Sequence, residues 1–267
     1  MNCGEDVRVL FTFGRAQNAT GRGLVTHPEL NILFATDVCN ACIHIYTQSG
    51  DYVTTYTPPL NNFCPWGMSY KDQSIYLSDI RRNRLLRLTD YSICVLKEFY
   101  CTDVTVFSSP KGLACDDNSN VYVGDVSNNR ICIFDYELNF SHTIRHKLLA
   151  KPRDVQVEES CLVVLTERKP FVLLFSLSGD MLRVLHKLEQ RIIEPWFFYV
   201  DENFNITISD YYDYSFKQFS KEGEFMRQLI QFQPMIFVSV FGICVTADKQ
   251  IVISTSDMKH PFMILAT

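Results

Sequence analysis

Short apolar runs of about five residues alternate with clusters of Asp, Asn, Ser and Gly along the chain. The segment SPKGLACDDNSNVYVGDVSNNRICIFD, residues 109–135, shows the unit most clearly. An apolar strand follows Pro-x-Gly, and a polar turn comes next. A second strand then alternates and ends in Asp125. After a short loop, Arg130 opens a third strand that ends at Phe134. Runs of this length between turn residues predict antiparallel meanders.

The unit recurs with a fixed internal spacing. An apolar anchor follows each strand-end residue nine positions later: Asp37 with Tyr46, Asp79 with Leu88, Asp125 with Phe134, Thr166 with Phe175, Asp210 with Phe219, and Thr255 with Ile264. Successive anchors lie 42, 46, 41, 44 and 45 residues apart, so only the turns vary in length. A period of this size with three or four short strands per copy predicts a β-propeller, and six copies nearly exhaust the chain. The blades would start near residues 22, 65, 110, 152, 195 and 241. The last copy stops at FMILAT, after its third strand, while Val7, Val9 and Phe11 alternate in an unattached strand within residues 6–14. Pairing that strand into the last blade would remove two sheet edges. The expectation is therefore an all-β fold: one domain over residues 1–267, a six-bladed β-propeller of four-stranded antiparallel blades, the last completed by the N-terminal strand.

The repeat resembles the NHL family across essentially the whole chain. VYVGDVSNNRICIFD at 121–135 is the strongest match, and LFATDVCNACIHIYTQSG at 33–50 and IYLSDIRRNRLLRL at 75–88 are good ones. The fourth and sixth copies depart from it, with Thr166 and Thr255 where the family has Asp. The resemblance implies an interaction platform, since NHL propellers are commonly the substrate-recruiting domain of tripartite-motif ubiquitin ligases. Some of those bind RNA through a positive face and others recruit proteins. No RING, B-box or coiled-coil segment lies in this sequence, so any ligase activity is expected to come from a partner or to be absent.

Composition narrows the class further. Apolar residues make up 47% and charged residues 21% of 267, which suits a soluble domain with a sizeable core. A net charge of -5 argues against a globally basic nucleic-acid binder and ranks a protein partner ahead of RNA. No apolar stretch reaches the roughly 18–20 residues of a membrane helix, and none near the N-terminus suits a signal peptide. Ten cysteines are present, most inside apolar strand-like runs, which predicts reduced, buried thiols and a cytoplasmic setting.

Charge is distributed unevenly among the loops. In a four-stranded meander the turns alternate between two ends. One end collects acids such as Asp116, Asp117, Glu158 and Glu159. The other collects Arg81, Arg82, Arg84, Arg130, Arg145, Lys147, Arg168 and Lys169. Acidic turns are ordinary turn chemistry, but the basic clusters are not required by it. A second feature falls at the same end. The residues opening the six innermost strands are Arg22, Trp66, Lys111, Arg153, Trp196 and Phe241, three bases and three aromatics. Together with those loop bases and with Tyr211, Tyr212 and Tyr214 they form the candidate partner-binding set. Such a mixture stacks bases and engages phosphates in single-stranded nucleic acid. In the plainer alternative the aromatics plug the channel mouth or pack between blades.

Chemistry beyond binding is sparse. Cys39 and Cys42 form a CxxC, but no second Cys or His pair has suitable spacing for zinc, so no metal or other cofactor is expected. No nucleophile elbow, P-loop, zincin or dinucleotide fingerprint occurs. The expectation is a non-catalytic adaptor binding a protein on its basic face, with RNA as the alternative, and a propeller lyase or lactonase as the distant one.

Overall fold

A computed structural model describes residues 2–3, 8–13, 21–27, 29–90, 96–100, 107–167, 171–187, 191–231, 240–246, 248–256 and 262–266. The fold is a six-bladed β-propeller built from antiparallel sheets. Blade one runs Gly21–His27, Ile32–Asp37, Cys42–Thr47 and Tyr52–Tyr56. Blade two runs Pro65–Lys71, Ser74–Asp79, Arg84–Asp90 and Leu96–Tyr100. Blade three is Pro110–Cys115, Val121–Asp125, Arg130–Phe134 and Phe140–Ile144. Blade four is Pro152–Glu158, Cys161–Thr166, Phe171–Ser176 and Met181–Lys187. Blade five is Pro195–Val200, Ile206–Asp210, Ser215–Phe219 and Phe225–Gln231. Blade six is Val240–Val245, Ile251–Thr255 and Phe262–Ala266, completed by Arg8–Phe13 as the N-terminal alternation predicts. Asn2–Cys3 adds a fifth strand to the edge of blade five, which the sequence reading did not foresee.

The chain falls into two compact units. Residues 1–59 and 189–267 hold blades one, five and six, and residues 60–188 hold blades two, three and four. In both units the nine-residue spacing has the same cause. The anchors Tyr46, Leu88, Phe134, Phe175, Phe219 and Ile264 are at most 2% exposed. Each sits directly opposite an apolar residue of the preceding strand: Leu33, Ile75, Val121, Leu162, Ile206 and Val252. A slip of one residue would turn the whole buried set outward, so this pairing fixes the register.

The loop between the second and third strands is also standardised. Four residues after the strand-end Asp the backbone turns left-handed, at Ala41, Asn83, Asn129 and Tyr214, with φ between 50° and 59°. Asn tolerates this conformation, and in blades two and three it does more. Asn83 Oδ1 accepts the Ser109 N–H at 2.9 Å, and Asn129 Oδ1 accepts the Lys151 N–H at 2.8 Å, tying each loop to the start of the next blade. Asn83→Ala is expected to lower stability by about 1–3 kcal/mol in urea unfolding, since it loses the acceptor and forces Ala into the left-handed region. Asn83→Gly should cost less, because it keeps the backbone freedom.

Candidate functional site

Every innermost strand carries a register shift just inside its start: Gly21/Leu24, Pro65/Met68, Pro110/Leu113, Pro152/Asp154, Pro195/Phe198 and Val240/Ile243. Bulges of this kind re-aim side chains. They fall on the six residues singled out from the sequence: Arg22, Trp66, Lys111, Arg153, Trp196 and Phe241. In four blades a buried hydroxyl one residue before the strand end holds the bulge. Thr36, Ser78, Ser209 and Ser254 accept the N–H of Gly23, Gly67, Phe197 and Gly242 at 2.7–3.0 Å. Glycine is needed where neighbouring inner strands approach. A Cβ at Gly67 would stand 2.6 Å from the Lys111 carbonyl oxygen. The recurring Ser or Thr before the strand-end residue was a sequence signal for these bulges that the pattern reading did not use.

The structure brings the six together as two sets of three, one in each unit. In residues 60–188, Trp66, Lys111 and Arg153 gather round a carboxylate the sequence reading missed, Glu167. Arg153 Nη1 lies 2.6 Å, Lys111 Nζ 3.4 Å and Lys151 Nζ 3.1 Å from the Glu167 carboxylate. Lys111 Nζ is 5.0 Å and the Arg153 guanidinium 5.8 Å from the centre of the Trp66 ring. Three cations thus face one carboxylate. Burial alone would raise the Glu167 carboxyl, but Arg153 and Lys111 outweigh it and hold it below the usual range. Burial and the repulsion of Arg153 push the Lys111 ammonium down to about 8, against the pull of Glu167. An amine so placed can exist neutral near physiological pH, and the excess positive charge beside an aromatic face suits an anionic ligand.

In the other unit the cluster is aromatic. Trp196 stacks flat on Tyr211, with centroids 4.2 Å apart and planes 9° from parallel. Phe241 packs at 5.5 Å, and the Arg22 guanidinium lies 4.5 Å over Trp196 and 4.9 Å over Phe241. Trp196 Nε1 donates to Glu194 Oε1 at 3.1 Å. Tyr212 is exposed at the loop tip, while Tyr214 is half-buried.

The strand-end aspartates are fully buried and serve as structural pins. Asp79 meets Arg84 Nε at 3.0 Å, Asp125 meets Arg130 Nε at 2.7 Å, and Asp210 meets Lys217 Nζ at 3.2 Å. They also accept backbone N–H groups from the preceding connection: Cys64, Ser108, and Ile193 with Glu194. Arg84 and Arg130 are therefore internal counter-ions. Arg81, Arg82, Arg145 and Lys147 are exposed, and Arg168 and Lys169 lie outside the described residues. In blade four Thr166 stands in the pin position, its Oγ1 accepting the Phe171 N–H at 3.0 Å.

The sequence matches no protein-family model and no curated protein. Among solved structures the chain resembles a streptogramin B lyase, with TM-score 0.75, 10% identity, and 100% of this chain and 99% of that one covered. It is also similar to a catalytically inactive H270A virginiamycin B lyase from Staphylococcus aureus with quinupristin, at TM-score 0.71, 12% identity, and 98% and 99% coverage. A luciferin-regenerating enzyme matches at TM-score 0.70, 12% identity, and 97% and 93% coverage. At these identities the likeness establishes the six-bladed fold. It also corrects the expectation of a non-catalytic adaptor, because full-length neighbours of this fold carry the names of enzymes. The reasoning behind that expectation failed for a physical reason: a propeller assembles a site from single residues of successive blades, so no linear catalytic motif is required. Trp66, Lys111, Arg153 and Glu167 are brought together in this way from three blades of one unit.

Proposed function

We propose that this propeller is an enzyme of the lyase type acting on a small anionic substrate bound at Trp66, Lys111, Arg153 and Glu167. The carrying observation is Lys111, an amine held near 8 within a cluster rich in cations. As the neutral amine it takes a proton from a carbon next to a carboxyl or carbonyl group. The released electron pair forms a carbon–carbon double bond as the leaving group departs from the adjacent carbon with its bonding electrons. Arg153 and Lys151 offset the charge that develops on the carbonyl oxygen, and Trp66 stacks on the substrate. Glu167 holds the cations in place. The lyase names among the structural neighbours support this class. We read the repeat itself as NHL-type, on its strand-end Asp and loop pattern.

The test is a panel of carboxylates bearing an ester or ether leaving group on the β-carbon, followed by the ultraviolet absorbance of the new conjugated double bond. Lys111→Met is expected to lower the rate by about 10²–10⁴-fold. The rate should climb as pH rises toward about 8, as Lys111 loses its proton. Absence of the double bond with the whole panel, or an unchanged rate in Lys111→Met, would overturn the proposal. Incorporation of labelled oxygen from water without a double bond would replace elimination by hydrolysis.

Stability gives an independent check on the same residue. The folded value near 8 lies below the ordinary 10.5, so the folded chain holds this proton less tightly than the unfolded one. The cost of the buried charge is fully present below about 8 and is lifted as pH rises from about 8 to about 10.5. Urea midpoints of the wild type should therefore gain across that window relative to Lys111→Met.

A further inference from the structure

Blade one solves the pin problem differently from its siblings. Asp37 is fully buried like Asp79, Asp125 and Asp210. Blades two and three oppose the pin with Arg five residues later, and blade five with Lys seven residues later. In blade one these two positions are Cys42 and His44, so neither position carries a permanent cation. We infer that Asp37, Cys42 and His44 form a binding site for a soft or borderline divalent metal ion, of which zinc is the model. The ion supplies the positive charge that Arg or Lys supplies elsewhere.

The geometry suits this. Asp37 Oδ2, Cys42 Sγ and His44 Nε2 all lie within 4.8 Å of one another. Cys42 Sγ is 3.7 Å and Asp37 Oδ2 is 2.9 Å from His44 Nε2. Bonds of about 2.3 Å to sulfur and about 2.0–2.1 Å to nitrogen and oxygen in a tetrahedron place ligand atoms roughly 3.3–3.6 Å apart. A shift of a few tenths of an ångström admits the ion. The outer support is already built: His44 Nδ1 lies 2.9 Å from Thr55 Oγ1, which is 3.0 Å from the Tyr52 hydroxyl. Metal-binding imidazoles characteristically use their second nitrogen in this way. Here His44 Nε2 hydrogen-bonds Asp37 Oδ2 at 2.9 Å; a bound cation displaces the proton between them, and Nδ1–H is then given to Thr55. Cys39, exposed in the same loop, makes the CxxC spacing with Cys42. The sequence alone did not support metal because a second Cys or His pair was sought in linear spacing, whereas here the strand pairing delivers the further ligands.

Cobalt is the probe, since a thiolate bound to it gives a near-ultraviolet charge-transfer band. Protein stripped with a chelator under reducing conditions is titrated with cobalt, and then with zinc as competitor. The expected result is a band that saturates at about one equivalent and is displaced by zinc, with a rise in melting temperature. Cys42→Arg recreates blades two and three, and His44→Lys recreates blade five. Both keep Asp37 neutralised, so both should fold and lose the band. Cys132→Ser, at the blade-three position that matches His44, should keep it. No band in the wild type, or a band that survives Cys42→Arg, would overturn the assignment. If Cys42→Arg does not fold, retention of the band in folded His44→Lys overturns it equally.

Discussion

Asp125→Ala is expected to lower stability by about 3–5 kcal/mol, the largest loss among single substitutions at the strand-end pins. The carboxylate is wholly buried and accepts four hydrogens of different origin. Oδ1 takes the Ser108 N–H at 2.8 Å, and Oδ2 takes Arg130 Nε at 2.7 Å and Asn128 Nδ2 at 2.9 Å, with the Cys132 thiol at 3.9 Å. Removing it leaves a guanidinium whose side chain is only 11% exposed without its counter-ion, and it frees the connection at Ser108. Breaking one side of a buried pair costs far more than the pair contributes net, because the remaining charge stays desolvated. Asp125→Ala with Arg130→Met should therefore recover part of the loss. Asp117→Ala is the control, since its carboxylate is almost fully exposed on Lys71, and stability should hardly change. A urea midpoint for Asp125→Ala within experimental error of the wild type would mean that Asp125 is no pin.

The pins also show how far the sequence carries. The spacing from Asp37 to Tyr46, repeated through Thr255 and Ile264, was enough to predict six blades, because register and burial follow directly from one apolar pair per blade. The residues opening the inner strands were identifiable for the same reason. What they meet was not. Glu167 directly follows Thr166, in a copy of the repeat that lacks the strand-end Asp, and its partners Lys111, Lys151 and Arg153 come from two blades. Such convergence depends on strand bulges and on the approach of backbones near Gly67 and Gly112, neither of which has a linear spacing. Arg84 and Arg130 were counted as surface charge for the same reason. Their position five residues after an Asp becomes a cross-strand ion pair only once the hairpin is formed, with Asp79 opposite Arg84 and Asp125 opposite Arg130. His44 was overlooked because the comparison that exposes it, blade one against blades two, three and five, needs the pairing of pin and counter-ion to be known first.

Deleting residues 1–13 is expected to destroy cooperative unfolding, with a loss on the order of 5 kcal/mol or more, comparable with the whole net stability of a domain. Arg8–Phe13 is the outer strand of blade six and pairs with Phe262–Ala266 from Arg8 opposite Ala266 to Phe13 opposite Phe262. The partner strand is deeply buried, with Phe262, Met263, Ile264 and Leu265 at most 1% exposed. Without its cover that strand presents unpaired N–H and C=O groups along an apolar edge, the arrangement that templates aggregation. The same deletion removes Asn2–Cys3 from Gln231 and Ile230 at the edge of blade five. Two truncations separate these contributions. Removing residues 1–5 takes only the short added strand and should shift the melting temperature slightly. Removing residues 1–13 should give a broad or absent transition and dye-binding aggregates. A synthetic peptide of residues 1–14 added during refolding should restore part of the transition, because a free strand can dock on an open sheet edge. An unchanged melting temperature in the longer truncation would show that blade six stands without its N-terminal strand, and the pairing would then be dispensable to the fold.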